Sequence, residues 1–346
     1  MTEPKPLSRP DALNMVQQTL SYRGRDLRSL LLKDLVLNAL KAQRDDLDVL
    51  DLKVISRALA EFRHAARIFK PYRQVRKVSM FGSARVSTRS AHYRTAVAVG
   101  RRLAEAGFMV ITGAADGIMR AGIEGAGTRN SFGVNILLPF EQGANDLIRD
   151  DPKMMRFKYF FTRKLFFVME ADAVVLFPGG FGTHDEGFEV LTLLQTGKAP
   201  PMPVVLVELP GEDYWDTWDQ FVRHQLLERH FIAASDRSFY RIVHTPEEAV
   251  SRVVSYYSVF HSLRQVGDRL VIRLEKDLAD GDLKKLTGKF GDIIESGEIK
   301  KTGPLSGEED EPALLARPRI VFRYNRKSAG RLNELVEMVN ELGRGY

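Results

Sequence analysis

The stretch FPGGFGTHDEGFEVLTLLQTGK, Phe177 to Lys198, runs from an apolar strand end into a helix through three glycines, Gly179, Gly180 and Gly182. Ala173 to Phe177 reads as a buried strand, and Pro178, with no amide to donate, ends it. The glycines let the backbone turn sharply and approach a ligand. Thr183 is the expected helix N-cap, with a hydroxyl that can also bind an anion. Free amides and the positive end of the helix dipole then face whatever the loop holds. The segment reads as a phosphate cradle at the carboxyl end of a strand. It is not a Walker loop, since no Gly-Lys-Ser/Thr follows. Nor is it the dinucleotide fingerprint, since His184 and Asp185 follow Gly182. Taken alone, a tight strand-to-helix connection would look the same.

The arrangement occurs twice more upstream. VSMFGSAR puts Gly82, Ser83 and Arg85 at the end of one strand, and VITGAADGIMRAG puts Thr112, Gly113 and Gly117 at the end of the next. Three such loops on one sheet edge describe a pocket for a phosphorylated ligand. Around them, residues 75–262 alternate short apolar strands with amphipathic helices, the pattern of a doubly wound parallel α/β sheet covered on both faces. Residues 1–74 show apolar side chains at three- and four-residue spacing and are expected to form a helical N-terminal extension. Residues 263–346 read as a small α+β module, whose strands are DRLVIRLE, EIKKTG and PRIVFRYN. Its acidic stretch near 303–314, GPLSGEEDEPA, reads as a mobile loop.

The chain of 346 residues contains no cysteine, which excludes disulfides, thiolate metal sites and a cysteine nucleophile. The first residues have no apolar core, and the apolar run Leu165–Phe177 is broken by Glu170 and Asp172, so a cytoplasmic protein without a membrane span is expected. The net charge is +6, with much of the basic excess before residue 75. No aromatic-plus-basic pattern accompanies it, so solvated helix faces are the simpler reading and nucleic acid is not an expected partner. The histidines fall into no ligand spacing, and no metal is expected. Trp215 and Trp218 read as packing residues.

Glu186 is expected in the first turn of the helix, close to the cradle, where the dipole favours its ionised form, so its pKa should fall unless burial wins. A carboxylate there could hold ribose hydroxyls, stabilise an oxocarbenium-like centre or orient a water. Arg163 and Lys164 sit in the aromatic helix RFKYFFTRKLFF, where a guanidinium needs a partner: a ligand anion or a surface carboxylate.

These loops resemble those of the LOG (Lonely Guy) family, long mislabelled as lysine decarboxylases. PGGFGTHDE fits its PGGxGTxxE pattern, and FKYFFTRK fits the segment that supplies the family's arginine. MFGSAR, ITGAADGIMRAGIEGA and GVNILLPFEQGAN resemble its other segments in the right order, over about residues 75–210. The resemblance implies a Rossmann-like fold, a homodimer or higher homo-oligomer, and hydrolysis of a nucleoside 5′-monophosphate to free base and ribose 5-phosphate without a cofactor. By position it implies Arg163 and Glu186 as the catalytic pair. It places Gly82, Ser83, Gly113, Gly117, Met119, Asn135, Glu141, Lys164, Pro178, Gly179, Gly180, Gly182 and Thr183 around the phosphate and nucleotide. Two departures bear on the substrate: a glycine-rich run is here Gly113-Ala114-Ala115-Asp116-Gly117, and Arg120 stands where the family has glutamate. The flanking zones favour the larger bacterial type that acts on AMP-like nucleotides over the short type that acts on cytokinin nucleotides. A pyridoxal phosphate decarboxylase would need a Schiff-base lysine at a strand end, and none stands out. The competing reading is a non-catalytic nucleotide sensor on the same fold.

Overall fold

The computed structural model describes residues 8–137 and 143–344. The chain divides into two compact units, Met1–Arg63 and His64–Tyr346. The first consists of helices α1 (Arg9–Ser21), α2 (Leu27–Arg44) and most of α3 (Val49–Phe69). Ser8 caps α1 by accepting the Asp11 amide, and Asp26 caps α2 by accepting that of Ser29. Neither α1 nor α2 contains a buried residue.

The second unit is built on a seven-stranded parallel sheet of β1 (Lys77–Phe81), β2 (Met109–Thr112), β3 (Ser131–Ile136), β4 (Met154–Phe157), β5 (Ala173–Leu176), β6 (Val204–Val207) and β7 (Tyr240–Val243). Helices α4 (Ala91–Glu105), α5 (Ile118–Ala126), α6 (Phe160–Met169), α7 (Phe181–Gln195), α8 (Tyr214–Phe221) and α9 (Pro246–Tyr256) connect and cover the strands. β1, β2, β3, β5 and β6 are buried along their whole length, as strands covered on both faces must be. Val78, Met80, Val110 and Val175 pack against α4, α5 and α9 on one side. On the other, Phe69 stacks on Phe132 at 4.5 Å and on Phe166 at 6.0 Å.

The strand order is β4-β3-β2-β1-β5-β6-β7. The chain winds outward from β1 through β4, then crosses back to place β5 on the free side of β1. That reversal opens a crevice beyond the carboxyl ends of β1 and β5, where the glycine loops lie. The fold is therefore the expected doubly wound one. Strands β4 and β7, both at sheet edges, are additions to the sequence reading. Each is four residues long and only partly buried, so its hydrophobic pattern is weak.

The remaining chain forms a four-stranded antiparallel sheet, β10-β11-β9-β8, from β8 (Phe260–Val266), β9 (Arg269–Leu274), β10 (Lys300–Lys301) and β11 (Arg319–Phe322). Helices α10 (Asp280–Lys289) and α11 (Ala329–Gly343) cover it. Buried Asn340 ties α11 to the entrance of β8: its Oδ1 accepts the amides of Val259 and Phe260, both at 2.9 Å. Asn333 on the same helix accepts the Tyr256 hydroxyl at 2.6 Å.

The acidic stretch 303–314 is pinned, which corrects its reading as a mobile loop. Glu308 is fully buried; its carboxylate accepts Arg273 at 2.7 Å, Arg319 at 2.9 Å and the Leu305 amide at 2.9 Å. Glu311 and Asp310 add bonds to Arg264 at 2.7 and 2.6 Å. The acidity that suggested disorder is matched by arginines from β8, β9 and β11. No helix among the described residues is long and apolar enough to cross a membrane.

Candidate active site

Ser83 joins the three loops. Its amide donates to the Pro178 carbonyl at 3.1 Å, and its carbonyl accepts the Ile118 amide at 3.1 Å. Gly117 caps α5 at φ 62°, a left-handed conformation, and a Cβ there would collide with the Ser83 carbonyl. Gly179 is as tightly set, since a Cβ would strike the Thr183 hydroxyl and lie 2.9 Å from the Ser83 nitrogen. The glycines let three backbones meet at van der Waals distance.

A cavity of about 730 Å³ opens where the loops meet. The structure brings Gly82, Ser83, Gly113, Met119 and Asn135 to its wall, with Gly179, Gly180, Gly182 and Thr183 on the cradle side and Arg163 and Glu186 beside them. Pro178 and Gly117 shape the loops without lining it. Lys164 also lies off the wall; its amine pairs with Asp185 at 2.8 Å and Glu189 at 2.7 Å. Glu141 lies outside the described residues.

Helix α7 starts at Phe181 and its N-cap is Gly180, so Thr183 is buried inside the first turn and does not cap the helix. Gly180 supplies the extended capping residue earlier, and the amides at the head of α7 still face the cavity. Glu186 consequently falls in the second turn, 3% exposed. Burial wins over the dipole: removal from water pushes its pKa up to about 7, against the pull of Arg163 and Lys164 and with added repulsion from Glu189 and Asp185. Its Oε1 is 3.6 Å from Arg163 Nη2, and its Oε2 has no hydrogen-bond donor among the described residues. Arg163 also lies against the rings of Phe160 and Phe167, with centroids 5.3 and 5.2 Å away.

The departures from the family pattern have local explanations. Ala114 adopts φ 57°, a conformation that favours the family's glycine, and its buried methyl packs with Ile123, Ala144 and Ile148. Asn145 holds this loop by donating from Nδ2 to the carbonyls of Ala114 and Ala115, both at 3.0 Å. Asn135 secures the same loop through Gly113, at 3.0 Å. Arg120 pairs with Asp146 and stands 4.0 Å from Asp116, so its reversed charge is balanced by acids of this chain.

Sequence reasoning missed four wall or support residues. His184 and Phe181 line the cavity from within the quoted motif, and Phe160 from the start of α6. Tyr214, outside the wall, donates its hydroxyl to the Gly179 carbonyl at 2.5 Å and lies 2.7 Å from His184 Nε2. Burial lowers the His184 pKa. Nothing local to Tyr214 marks this role, because the contact spans 35 residues.

Residues 112–253 match a family model described as "Possible lysine decarboxylase". A rice protein (Oryza sativa subsp. japonica), described as "Probable cytokinin riboside 5'-monophosphate phosphoribohydrolase LOGL6", is 31% identical over 94 residues. That alignment spans 27% of this chain and 36% of the relative, so only about a third of the relative's length is matched. Among solved structures, a structural-genomics crystal structure is 26% identical over 51% of this chain and 96% of its own, with TM-score 0.36. The molybdenum cofactor carrier protein of Chlamydomonas reinhardtii is 17% identical over 51% and 94%, with TM-score 0.37. Those TM-scores are too low for either likeness to bear on function. The decarboxylase description does not fit the cavity chemically, since no lysine lines it among the described residues.

Proposed function

We propose, on the premise that this chain belongs to the LOG (Lonely Guy) family, that it hydrolyses the N-glycosidic bond of nucleoside 5′-monophosphates. The observation that carries the reading is buried Glu186 paired with the partly buried Arg163 beside a three-loop phosphate cradle. The 5′-phosphate is assigned to the amides of Gly179–Thr183 and the head of α7. The ribose then extends toward Glu186. As the C1′–N bond breaks, positive charge builds on the ribosyl carbon and ring oxygen. The ionised Glu186 carboxylate stabilises that charge and takes a proton from the water whose oxygen bonds to C1′. The base departs with the bonding electrons and takes a proton from solvent, while Glu186 releases to solvent the proton it took from water, which regenerates the carboxylate. Arg163 orients Glu186 and binds substrate oxygens from the opposite side. The products are free base and ribose 5-phosphate.

AMP-like nucleotides are the assigned substrates, with cytokinin nucleotides the narrower option, and catalysis is assigned to residues 75–262. A cytoplasmic location is proposed with that substrate. Phe161, Leu165 and Met169, spaced one helical turn apart and exposed on α6, support self-association as a homodimer; light scattering of the purified chain tests it. The activity is tested by incubating the protein with AMP, GMP, CMP, UMP and isopentenyladenosine monophosphate and resolving base and ribose 5-phosphate by chromatography. Release that Glu186→Gln abolishes supports the hydrolase. Tight nucleotide binding with no release from any substrate would replace it with a sensor.

A further inference from the structure

A cavity of about 620 Å³ lies at the other end of α7, between Gln195–Pro201 and the C-terminal α+β layer. Its size is in the range of small-molecule sites. Buried Phe239, Leu270 and Leu332 give it an apolar floor, and Tyr324 adds an aromatic wall. Lys198, Arg326 and Lys327 stand on its rim. No carboxylate lines it, and none of the three cations joins an ion pair among the described residues.

The contrast with a neighbouring arginine cleft of about 720 Å³ is informative. There Arg76 is paired with Asp172, Arg264 with Glu311, Arg273 with Glu308 and Arg317 with Glu275. Four of that cleft's five arginines are thus balanced by acids of the chain, and Arg73 alone joins no ion pair among the described residues. The cavity at the end of α7 combines apolar surface with positive charge that the chain leaves unbalanced. Each wall also ends a helix: the terminal carbonyls of α7 on one side are offset by the leading amides of α11 on the other.

We propose that this cavity is a second ligand site, for a small organic anion with an aromatic or apolar body. The body is buried against Phe239, Leu270 and Leu332, and the anionic group is held by Lys198, Arg326 and Lys327. The proposal is independent of the reaction assigned to the catalytic cleft.

The probe is 8-anilinonaphthalene-1-sulfonate, titrated by fluorescence against the full chain. Its uncharged analogue N-phenyl-1-naphthylamine serves as control. The expected result is a saturable component that the Lys198→Ala/Arg326→Ala/Lys327→Ala variant weakens by about tenfold or more, as loss of three charge contacts requires. Arg163→Ala, in the catalytic cleft, should leave that component unchanged. The three substituted side chains are exposed, and a matching circular-dichroism melt verifies the fold. An unaltered isotherm in the triple variant would overturn the proposal by placing the probe elsewhere, such as on the exposed leucines of α1 and α2. Equal affinity for the uncharged analogue would overturn it too, since charge would then play no part.

Discussion

Arg163 Nη2 stands 3.6 Å from Glu186 Oε1, longer than a hydrogen bond, in a site where Glu186 has lost nearly all contact with water. The ion pair is too loose to keep the carboxylate in its ordinary range, and burial raises its pKa to about 7. The separation leaves the carboxylate available to a third party between or beside the two charges, as a catalytic group requires.

Replacing Glu186 with glutamine keeps the shape and removes the charge. Base release from AMP should fall by about 10²–10⁴-fold, the ordinary contribution of a positioned acid–base group. Single-turnover assays check this, with nucleotide binding by calorimetry retained.

The same residue sets a pH profile. The ionised form is the active one, so kcat/KM of the free enzyme should rise with pH and reach half its plateau near pH 7. Stability should move the opposite way. The unfolded chain releases this proton near 4.5 and the folded site holds it to about 7, so folding takes up a proton between those values. Stability is therefore lost as pH rises through that window, by about 3 kcal/mol above it. Glu186→Gln cannot ionise and should be the more stable protein at pH 8, with the advantage gone near pH 4.5. Urea unfolding at the two pH values measures the difference.

Tyr214→Phe removes the hydroxyl that braces Gly179 and His184. The cradle should loosen while the reacting groups stay in place. We expect KM for the nucleotide to rise about fivefold, equivalent to about 1 kcal/mol for one hydrogen bond, with kcat little changed.

Glu308→Ala leaves Arg273 and Arg319 buried without their shared carboxylate. The expected cost is about 3–5 kcal/mol, read by urea unfolding, with new proteolytic cleavage within 303–314.

Much of this site was legible because it is local. The three strand-to-helix loops, the glycines and the existence of β1, β2, β3, β5 and β6 follow from short apolar runs and the residues that end them. What escaped depends on distant contacts. β8 lacks a clean alternating pattern, since it lies at the edge of its sheet and most of its residues are half-buried on either face. The cap of α7 was misplaced by three residues because an extended glycine can begin a helix as well as a threonine can. The direction of the Glu186 shift could not be read from helix position, because the whole sheet edge contributes to its burial. Tyr214 and the arginines around Glu308 reach their partners across gaps in sequence that no motif spans.

Ser83 carries a consequence for how this pocket can change over evolution. Its backbone amide and carbonyl are bonded to the loops on either side, so lengthening or re-angling any loop breaks the register of the other two. New preferences are more readily acquired at Met119, Phe160 and Phe181, whose side chains face the cavity and hold no backbone in place. The frame is inherited as a block, and diversification falls to its rim.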